Sequence, residues 1–429
     1  MNPGTSRGTV LVVGARGFLG EAIVADLRQH GYRVLSGVRS PARDAGDERC
    51  CDLAAMLRAE QWRDTLEGVD AVVNAAGILR ESSTQTFEAV HVRGPLALAL
   101  ACVERGIYVF VQISALGDPR DGEFVASKHR FDATLLELPL RAVVLRPSVV
   151  YATERSYGGT SLLRALAALP FGVWVPGDGQ WRMQPLDARD LAEIVAHAIA
   201  SDAAGAFDVG GPAAISLRDY QRQWRRWLRV PGERTIRVPT WLVSLQVWVA
   251  ERFGRGPMGA TIWRMLRRGN VTVPNATQRL KEAFGFVPRA LGEVLSAHPS
   301  QVQDRWQARL YFLAAVLRLA LIALWFVSAL AGFLASGTQI APFVGRLPIA
   351  QSLFAAKVAG GVDLLFAVWL ASGWRTRWAL AGMAACVLGY TIAFSLWSPA
   401  SWLVPLGGLA KNLVVLPAIA VLWVLSDRR

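Results

Sequence analysis

Runs of β-branched and other apolar residues alternate with segments of helix length between residue 9 and about residue 217. Strands formed by such continuous apolar runs are buried on both faces of a sheet. The runs are Val10–Val13, Arg33–Val38, Ala71–Asn74, Ile107–Ile113 and Arg141–Leu145. Strands that alternate with helices predict an α/β domain with a doubly wound, parallel Rossmann sheet over residues 1–217. A domain of this kind binds its ligand outside the carboxyl ends of the strands.

The hydropathy pattern changes in residues 306–429, where long apolar stretches follow one another. Each stretch is at least as long as the roughly 20 residues that a helix needs to cross a bilayer. The stretches are Leu310–Leu334, Ile349–Ser372, Trp378–Trp397 and Leu403–Leu425. This part of the chain is therefore predicted to form an all-α bundle of four transmembrane helices.

Arginines flank this predicted bundle mainly on one side, and the loops on the other side carry only Arg346. Pairs of them precede the first span, fill the second loop and follow the fourth span: Arg305, Arg309, Arg375, Arg377, Arg428 and Arg429. Positive residues concentrate on the cytoplasmic side of membrane proteins. The first ten residues contain no apolar core of a cleavable signal peptide. We therefore expect a multi-pass protein of a bacterial-type inner membrane, with the N-terminal domain and both termini in the cytoplasm.

The composition fits a partly membrane-embedded chain. Of the 429 residues, 53% are hydrophobic and only 18% are charged, whereas soluble domains carry about 25% charged residues. These values exclude a disordered chain. The four cysteines show no C-x-x-C spacing and no companion histidines, so they predict neither a disulfide framework nor a zinc site.

The net charge of +13 is concentrated in one stretch of the chain. Residues 215–270 contain twelve arginines and three acidic residues, a balance of +9, with five tryptophans interleaved among them. Arginine and tryptophan side chains together are typical of a membrane-surface contact. We predict that residues 218–305 complete the first domain and contact inner-membrane lipid, and that nucleic acid is not a partner.

A glycine-rich loop follows the first predicted strand. Val10–Val13 runs into Gly14-Ala-Arg-Gly17-Phe-Leu-Gly20, and a helical pattern follows it. Glycines at this spacing let the backbone approach a pyrophosphate, which binds at the N-terminus of the helix. The loop residues expected to contact a dinucleotide are Gly14, Arg16, Gly17, Phe18, Leu19 and Gly20.

The residues after the second predicted strand indicate which dinucleotide binds. An NAD site usually carries an acidic residue there for the ribose 2′-hydroxyl, but this strand ends in Val38-Arg39-Ser40. Arg39, together with Arg16, suits a 2′-phosphate. The sequence therefore favours NADP(H) over NAD(H).

Several further motifs occur in the order typical of one family. They are Cys51-Asp52-Leu53, Asn74-Ala-Ala-Gly77, Ser114, Lys128, Leu145-Arg-Pro147-Ser-Val-Val, Gly177-Asp-Gly, Gln184-Pro-Leu-Asp187 and Asp208-Val-Gly-Gly-Pro212. With the glycine loop, they resemble the landmarks of short-chain dehydrogenases/reductases. The resemblance covers about residues 8–300 and is strongest to the atypical branch that includes the NAD(P)-binding accessory subunit of respiratory complex I.

That resemblance implies roles for individual residues. Asp52, in the motif that includes Leu53, would contact the adenine, and Lys128 would contact the ribose. Further cofactor contacts would come from the segment Ala75, Ala76 and Gly77. The wall on the nicotinamide side would be formed by Pro147, Ser148 and Val149.

One departure from the family affects catalysis. Catalytic members carry a Tyr-x-x-x-Lys pair, in which the lysine lowers the tyrosine pKa so that the phenol can exchange a proton with the substrate. Here the segment reads Phe124-Val-Ala-Ser127-Lys128, and His91 replaces a family asparagine. Ser114 could still polarise a carbonyl, so Ser114 and Lys128 are the candidate catalytic residues. We interpret His91 as a structural helix residue.

The membrane region resembles the DoxX-like family, although its motifs are looser. Four charged residues lie within or beside the predicted spans: Arg318, Lys357, Asp363 and Lys411. Burying an ionised side chain in lipid costs about 2.5–3.5 kcal/mol. We therefore expect Asp363 to face the bundle interior and to find a partner on another helix, with the three cations as candidates. Such a cluster either fixes helix packing or forms a polar pocket for a quinone headgroup or a proton path.

Two functions remain open from the sequence. The favoured one is an NAD(P)-dependent oxidoreductase that transfers a hydride to a lipophilic acceptor such as a quinone, directly or through a membrane redox partner. The alternative is a catalytically silent NAD(P)-binding subunit that supports or assembles a membrane complex.

Overall fold

The computed structural model describes residues 7–42, 46–252, 259–338, 348–403 and 408–427. The chain divides into two compact units, Met1–Ala308 and Arg309–Arg429. The sequence places the change from the α/β domain and its basic extension to the membrane domain at residue 306.

A seven-stranded parallel sheet forms the centre of the first unit, with the strand order β3-β2-β1-β4-β5-β6-β11. The strands are β1 (Thr9–Val13), β2 (Arg33–Val38), β3 (Glu48–Cys50), β4 (Ala71–Asn74), β5 (Val109–Ile113), β6 (Arg141–Pro147) and β11 (Gly205–Val209). This is the doubly wound order of dinucleotide-binding folds with one strand added at the β6 edge. The predicted α/β fold is confirmed.

Helices cover both faces of this sheet. They are α1 (Phe18–Gln29), α2 (Gly94–Arg105), α3 (Glu123–Glu137) and α5 (Ala188–Ala200), whereas α4 (Gly158–Ala167) packs in a separate core. Alternate residues of β1 enter opposite cores: Val10 and Val12 pack with α1 and α5, whereas Leu11 and Val13 pack with α2 and α3. The continuous apolar pattern of the strand therefore reflects burial on both sides.

Short strands and helices complete the first unit. The short strands are β7 (Val150–Tyr151), β8 (Val173–Pro176), β9 (Arg182–Met183), β10 (Leu186–Asp187), β12 (Ile215–Ser216) and β13 (Thr235–Val238). The helices are α6 (Leu217–Trp227), α7 (Thr240–Arg252), α8 (Ala260–Arg268), α9 (Ala276–Phe284) and α10 (Leu291–Ala297). Tyr151, Tyr220 and Trp224 form a third core with α10, so several tryptophans of the basic stretch serve to pack this region.

Three helices in the described part of the chain are long and apolar enough to cross a membrane: α11 (Val302–Leu334), α12 (Ile349–Ser372) and α13 (Thr376–Trp397). The predicted fourth span, Leu403–Leu425, forms a shorter helix, α14 (Asn412–Leu425), after a 3₁₀ turn at Leu409–Lys411. Residues 404–407 lie outside the described part. Pro417 lies inside α14. The bundle thus has three long helices and one short apolar helix.

Helices α11 and α12 approach each other closely at small residues. A Cβ atom added to Gly332 would lie 2.7 Å from the carbonyl oxygen of Ala356, and one added to Gly360 would lie 2.9 Å from that of Ala329. Small residues of this kind allow membrane helices to pack backbone against backbone.

Candidate functional site

The glycine loop, residues 14–20, lies where the strand order of the sheet reverses. Strand β1 has β2 on one side and β4 on the other, and the chain crosses the sheet in opposite directions from this point. Ligands of open α/β sheets bind at such a switch point, outside the carboxyl ends of the strands. The loop connects β1 to the N-terminus of α1.

The three glycines of the loop have different surroundings. Gly14 has a φ of +82°, and an added Cβ would lie 2.9 Å from the backbone of Ala76. A Cβ on Gly20 would lie 2.0 Å from the carbonyl oxygen of Gly14. Gly17 is exposed and caps α1 without a side-chain hydrogen bond. The loop therefore leaves the first N–H groups of α1 accessible to an anion, as a pyrophosphate requires.

Two arginines are candidates for contact with a 2′-phosphate: Arg16 within the loop and Arg39 directly after β2. Arg16 and Arg39 are both exposed. Arg16 forms an ion pair with Glu48 on β3, with a distance of 2.5 Å between Nη2 and Oε1. A hydrogen bond from the backbone N–H of Ala42, and then the contact with Arg16, lower the pKa of Glu48 below its ordinary value. The sequence motifs do not predict a role for Glu48. It comes close to Arg16 only because β3 pairs with β2 in the folded sheet.

The adenine side of the site follows β3. Asp52 is half-buried, and its Oδ1 accepts a hydrogen bond from the backbone N–H of Ala54 at 3.0 Å. Leu53 is buried in the core next to α2. The position of Asp52 at the carboxyl edge of the sheet is compatible with the expected adenine contact.

Lys128 lies behind the segment that follows β4. Its Nζ donates hydrogen bonds to the carbonyl oxygens of Ala76 at 3.0 Å and Ile113 at 2.8 Å. An ammonium group has three donors, so these bonds leave one for a ligand. Burial lowers the pKa of Lys128 to about 8, although the charge of Asp132 opposes this shift. A Cβ on Gly77 would lie 3.2 Å from this Nζ, so Gly77 gives access to the ammonium group.

His91 is buried, with 1% of its surface exposed. Its Nε2 accepts the backbone N–H of Ile78 at 3.0 Å, which assigns the proton to Nδ1, and Nδ1 donates to Ser127 Oγ at 2.9 Å. Ser127 in turn donates to the carbonyl oxygen of Glu123 at 2.7 Å. Burial, together with the charge of Lys128, lowers the pKa of His91 to about 2. The ring is therefore neutral at pH 7 and belongs to a structural hydrogen-bond chain.

Phe124 occupies the place of the family's tyrosine and packs in an aromatic group. Its ring lies edge-on to His91, with a centroid distance of 5.7 Å, and 6.4 Å from Phe87. Ser127, one helical position before Lys128, uses its hydroxyl on backbone carbonyls and His91. Neither residue supplies a free proton donor to the site.

Ser114, the other candidate catalytic residue, lies at the end of β5 and is buried. Its Oγ donates to Asp132 Oδ2 at 2.7 Å. Asp132 Oδ2 also accepts a hydrogen bond from Arg146 Nε at 3.0 Å. The Ser114 hydroxyl is thus oriented toward a carboxylate. It can polarise a substrate carbonyl only after rotating away from Asp132.

The predicted nicotinamide-side wall lies at the end of β6. Pro147 and Ser148 are buried, whereas Val149 is half-buried. Ser148 donates its hydroxyl to the carbonyl oxygen of Asn270 at 2.9 Å, and its N–H to that of Val209 at 2.8 Å. These bonds fix the segment between the sheet and the helices that follow it.

The four charged residues predicted within or beside the spans have different surroundings in the second unit. Asp363 on α12 is buried, and its Oδ2 accepts the hydroxyl of Ser328 on α11 at 2.6 Å. The partner thus comes from another helix, as expected, but it is a serine that the charge pattern did not indicate. Arg318 donates to the carbonyl oxygen of Leu370 at 2.5 Å, whereas Lys357 and Lys411 are exposed.

This combination of fold and glycine loop defines a Rossmann domain of the dinucleotide-binding kind. Residues 10–210 match the NAD dependent epimerase/dehydratase family, and residues 322–423 match the DoxX-like family. The chain therefore joins an N-terminal domain of the NAD dependent epimerase/dehydratase family to a C-terminal DoxX-like membrane domain.

Curated relatives resemble the first unit. The chain is 25% identical over 245 residues to NADH dehydrogenase (ubiquinone) 1 alpha subcomplex subunit 9 of Arabidopsis thaliana, covering 51% of this chain and 60% of that protein. It is 24% identical over 328 residues to an epimerase family protein of Mycobacterium leprae, covering 70% of this chain and 100% of that protein. The chain thus spans less than two thirds of the plant subunit.

Solved structures of epimerases have the same fold. UDP-N-acetylglucosamine 4-epimerase from Bacillus cereus matches with a TM-score of 0.50 and 17% identity over 68% of this chain and 97% of that chain. UDP-glucose 4-epimerase from Thermotoga maritima matches with a TM-score of 0.51 and 16% identity over 67% and 96%. At these identities the match concerns the fold alone.

Proposed function

We propose that this protein is a membrane-anchored oxidoreductase that binds NADP(H) and transfers a hydride to a lipophilic acceptor such as a quinone, directly or through a membrane redox partner. The observation that carries this proposal is Phe124. The glycine loop and Lys128 are retained, whereas the phenol that protonates an alkoxide in related enzymes is missing. An acceptor that takes its proton from water does not need that phenol.

The preference for NADP(H) rests on charge beside the loop. Arg16 and Arg39 are exposed where the adenosine ribose of a bound dinucleotide would lie. Glu48 neutralises Arg16 in part, so Arg39 is the principal candidate for the 2′-phosphate.

The chain's own residues bind and orient the cofactor. The glycine loop and the N-terminus of α1 hold the pyrophosphate, Lys128 donates to a ribose hydroxyl, and the segment Pro147–Val149 forms one wall of the nicotinamide side. When bound, NADPH supplies a hydride that, with one proton from water, reduces a quinone to the quinol and leaves NADP⁺. Lys128 does not have to lose a proton for this role.

We propose that residues 218–305 rest on the membrane surface. Helix α7 buries Val243 and Val247 against α8 but exposes Trp241 and Trp248, at 67% and 62%. An exposed aromatic face in an arginine-rich segment is typical of an interfacial helix. Together with the arginines near the spans, it supports a cytoplasmic first unit at an inner membrane.

The proposal also assigns a role to the buried pair in the membrane. Asp363 and Ser328 bring a carboxyl and a hydroxyl together next to the small-residue contact of α11 and α12. Buried ionisable groups in membrane helices commonly mark ligand or proton pathways. We propose that this pair contributes to the binding of the polar headgroup of the acceptor.

The full chain in lipid nanodiscs provides the test. With NADPH and a short-chain ubiquinone analogue, we expect NADPH loss and quinol formation in a 1:1 ratio, and a slower rate with NADH. Oxidation of NADPH no faster than in protein-free nanodiscs would overturn the proposal. The variant Gly17→Val, which blocks the N-terminus of α1, serves as the matched control.

One observation favours the alternative of a silent cofactor-binding subunit. The hydroxyl of Ser114 is engaged by Asp132, and that of Ser127 by His91 and the carbonyl of Glu123, so the described site holds both hydroxyl groups away from a substrate. This function predicts NADPH binding, no turnover with any quinone, and purification together with a larger membrane complex.

A further inference from the structure

Four side chains with metal-ligating atoms meet on one face of the sheet, outside the cofactor site. Asp26 and His30 lie four residues apart at the C-terminal end of α1, and Glu193 and His197 lie four residues apart on α5. Residues at this spacing share one face of a helix. Helices α1 and α5 pack side by side on the same core, so the two pairs form one group, here called the His–carboxylate cluster.

The cluster brings its ligand atoms together at short range. Nε2 of His30 and Nε2 of His197 each lie 3.4 Å from Oε1 of Glu193. The ligating atoms of these three residues all lie within 4.8 Å of one another. In a tetrahedral site with bonds of about 2.0–2.1 Å, neighbouring ligand atoms are about 3.3 Å apart. Two of the three separations already have this value.

The hydrogen bonding of His30 directs a lone pair into the cluster. Its Nδ1 lies 3.1 Å from the carbonyl oxygen of Asp26, and donation of the Nδ1 proton there leaves Nε2 unprotonated. This is the arrangement that fixes metal-binding histidines, in which one ring nitrogen donates to a carbonyl and the other ligates. Without a cation, the lone pair of Nε2 would face the carboxylate of Glu193.

The two acidic residues of the cluster also lie close together. Asp26 and Glu193 lie close enough for their carboxyl groups to repel each other. Oδ2 of Asp26 is buried and lies 3.3 Å from Nδ1 of His30. A divalent cation between the two carboxyl groups would offset their repulsion.

We propose that the His–carboxylate cluster binds one divalent transition-metal ion, with His30, Glu193 and His197 as ligands and Asp26 or water in the fourth position. Imidazole and carboxylate ligands suit Zn²⁺ and similar first-row ions. The side chains are partly exposed, at 27% for His30 and 38% for His197, so an ion can enter from solvent. The cluster lies at the end of α1 opposite the glycine loop, about 18 Å away for a helix of 12 residues. The ion would therefore link α1 to α5 and take no part in hydride transfer.

The chain offers a matched control for this site. His298 also follows the end of a helix, α10, and its Nδ1 lies 3.1 Å from the carbonyl oxygen four residues earlier, that of Val294. Its Nε2, however, faces Arg189 instead of a carboxylate. Loss of His298 removes an imidazole of the same geometry from a place that lacks the carboxylate partners.

The experiment uses the full chain in detergent micelles, without a histidine tag and after removal of metals with a chelator. Titration with ZnCl₂ against a fluorescent chelator should show one ion per chain, and the unfolding temperature should rise with bound metal. We expect His197→Asn and Glu193→Gln to weaken zinc binding at least 30-fold, while His298→Asn leaves it unchanged. Equal zinc affinity in the His197 and His298 variants, or less than one ion per chain in the native protein, would overturn the proposal.

A second measurement avoids dependence on the folding of the variants. Native protein loaded with Co²⁺ should show the visible ligand-field absorption of a tetrahedral site with nitrogen and oxygen ligands, and ZnCl₂ should displace it. Spectra identical to Co²⁺ in buffer would contradict the assignment. NADPH binding, measured in the same samples, should persist in each cluster variant, which separates this test from that of the proposed function.

Discussion

Lys128 provides a sharp test of the site, because a charged group is fully buried there. The perturbation is Lys128→Met, which keeps the length of the apolar stem and removes the ammonium group. In the native protein that group donates to the carbonyl oxygens of Ala76 and Ile113. The matched control is Lys281→Met on α9, where the lysine is exposed.

The magnitude follows from the pKa of Lys128, which burial lowers from 10.5 to about 8. Between these two values the unfolded chain holds the proton and the folded chain has released it. The unfolded state therefore binds more protons, and the free energy of unfolding rises with pH across this window. At about 1.4 kcal/mol for each pKa unit, the full effect is about 3 kcal/mol.

The assay is the unfolding temperature of the full chain in detergent, followed by tryptophan fluorescence from pH 7 to pH 11. For a unit of about 300 residues, 3 kcal/mol corresponds to about 5 °C. Relative to Lys128→Met, the native protein and the Lys281→Met control should therefore gain about 5 °C over this range. Parallel curves for native protein and Lys128→Met would refute the burial of a charged Lys128.

Three further predictions concern the cofactor and the membrane. Phe124→Tyr should restore a phenol one helical turn from Lys128 and give NADPH-dependent reduction of small ketones that the native protein lacks; an inactive variant that still binds NADPH would contradict this. Glu48→Gln should free Arg16 and tighten the binding of NADPH more than that of NADH in calorimetry, whereas an equal change for both would remove Arg16 from the 2′-phosphate site. A fluorophore at Trp248→Cys, with the native cysteines replaced by alanine, should be quenched by spin-labelled lipid in nanodiscs. The same label at Phe171→Cys, an aromatic position that is even more exposed than Trp248, should not be quenched, and equal quenching at both positions would refute the surface contact of α7.

The sequence predicted the central sheet because its strands are apolar on both faces. It missed β11, Gly205–Val209, as a strand, because a mixed pattern at a sheet edge gives a weak signal. The membrane helices were predicted by length and hydropathy alone. Of the fourth stretch, the described residues after 407 form the 3₁₀ turn Leu409–Lys411 and the helix Asn412–Leu425.

The glycine loop was predictable because its geometry depends on local backbone conformation. The partners of the other site residues were not, because they are brought together by packing. Ser114 meets Asp132 on a different element, and Arg16 meets Glu48 across two strands. The His–carboxylate cluster shows the same limit: each pair has helical spacing, but only the contact of α1 with α5 unites them.

The central claim, a nicotinamide dinucleotide bound at the glycine loop, is tested most directly by calorimetry on the full chain. The variant Gly17→Val places a branched side chain over the free N–H groups of α1, and the control Gly46→Val changes a glycine with no atom within 4 Å of its Cβ position. We predict one NADPH per chain, bound more tightly than NADH, in the native protein and in Gly46→Val, and no binding in Gly17→Val. Native protein that binds neither dinucleotide, or Gly17→Val that binds NADPH as well as the control, would contradict the account.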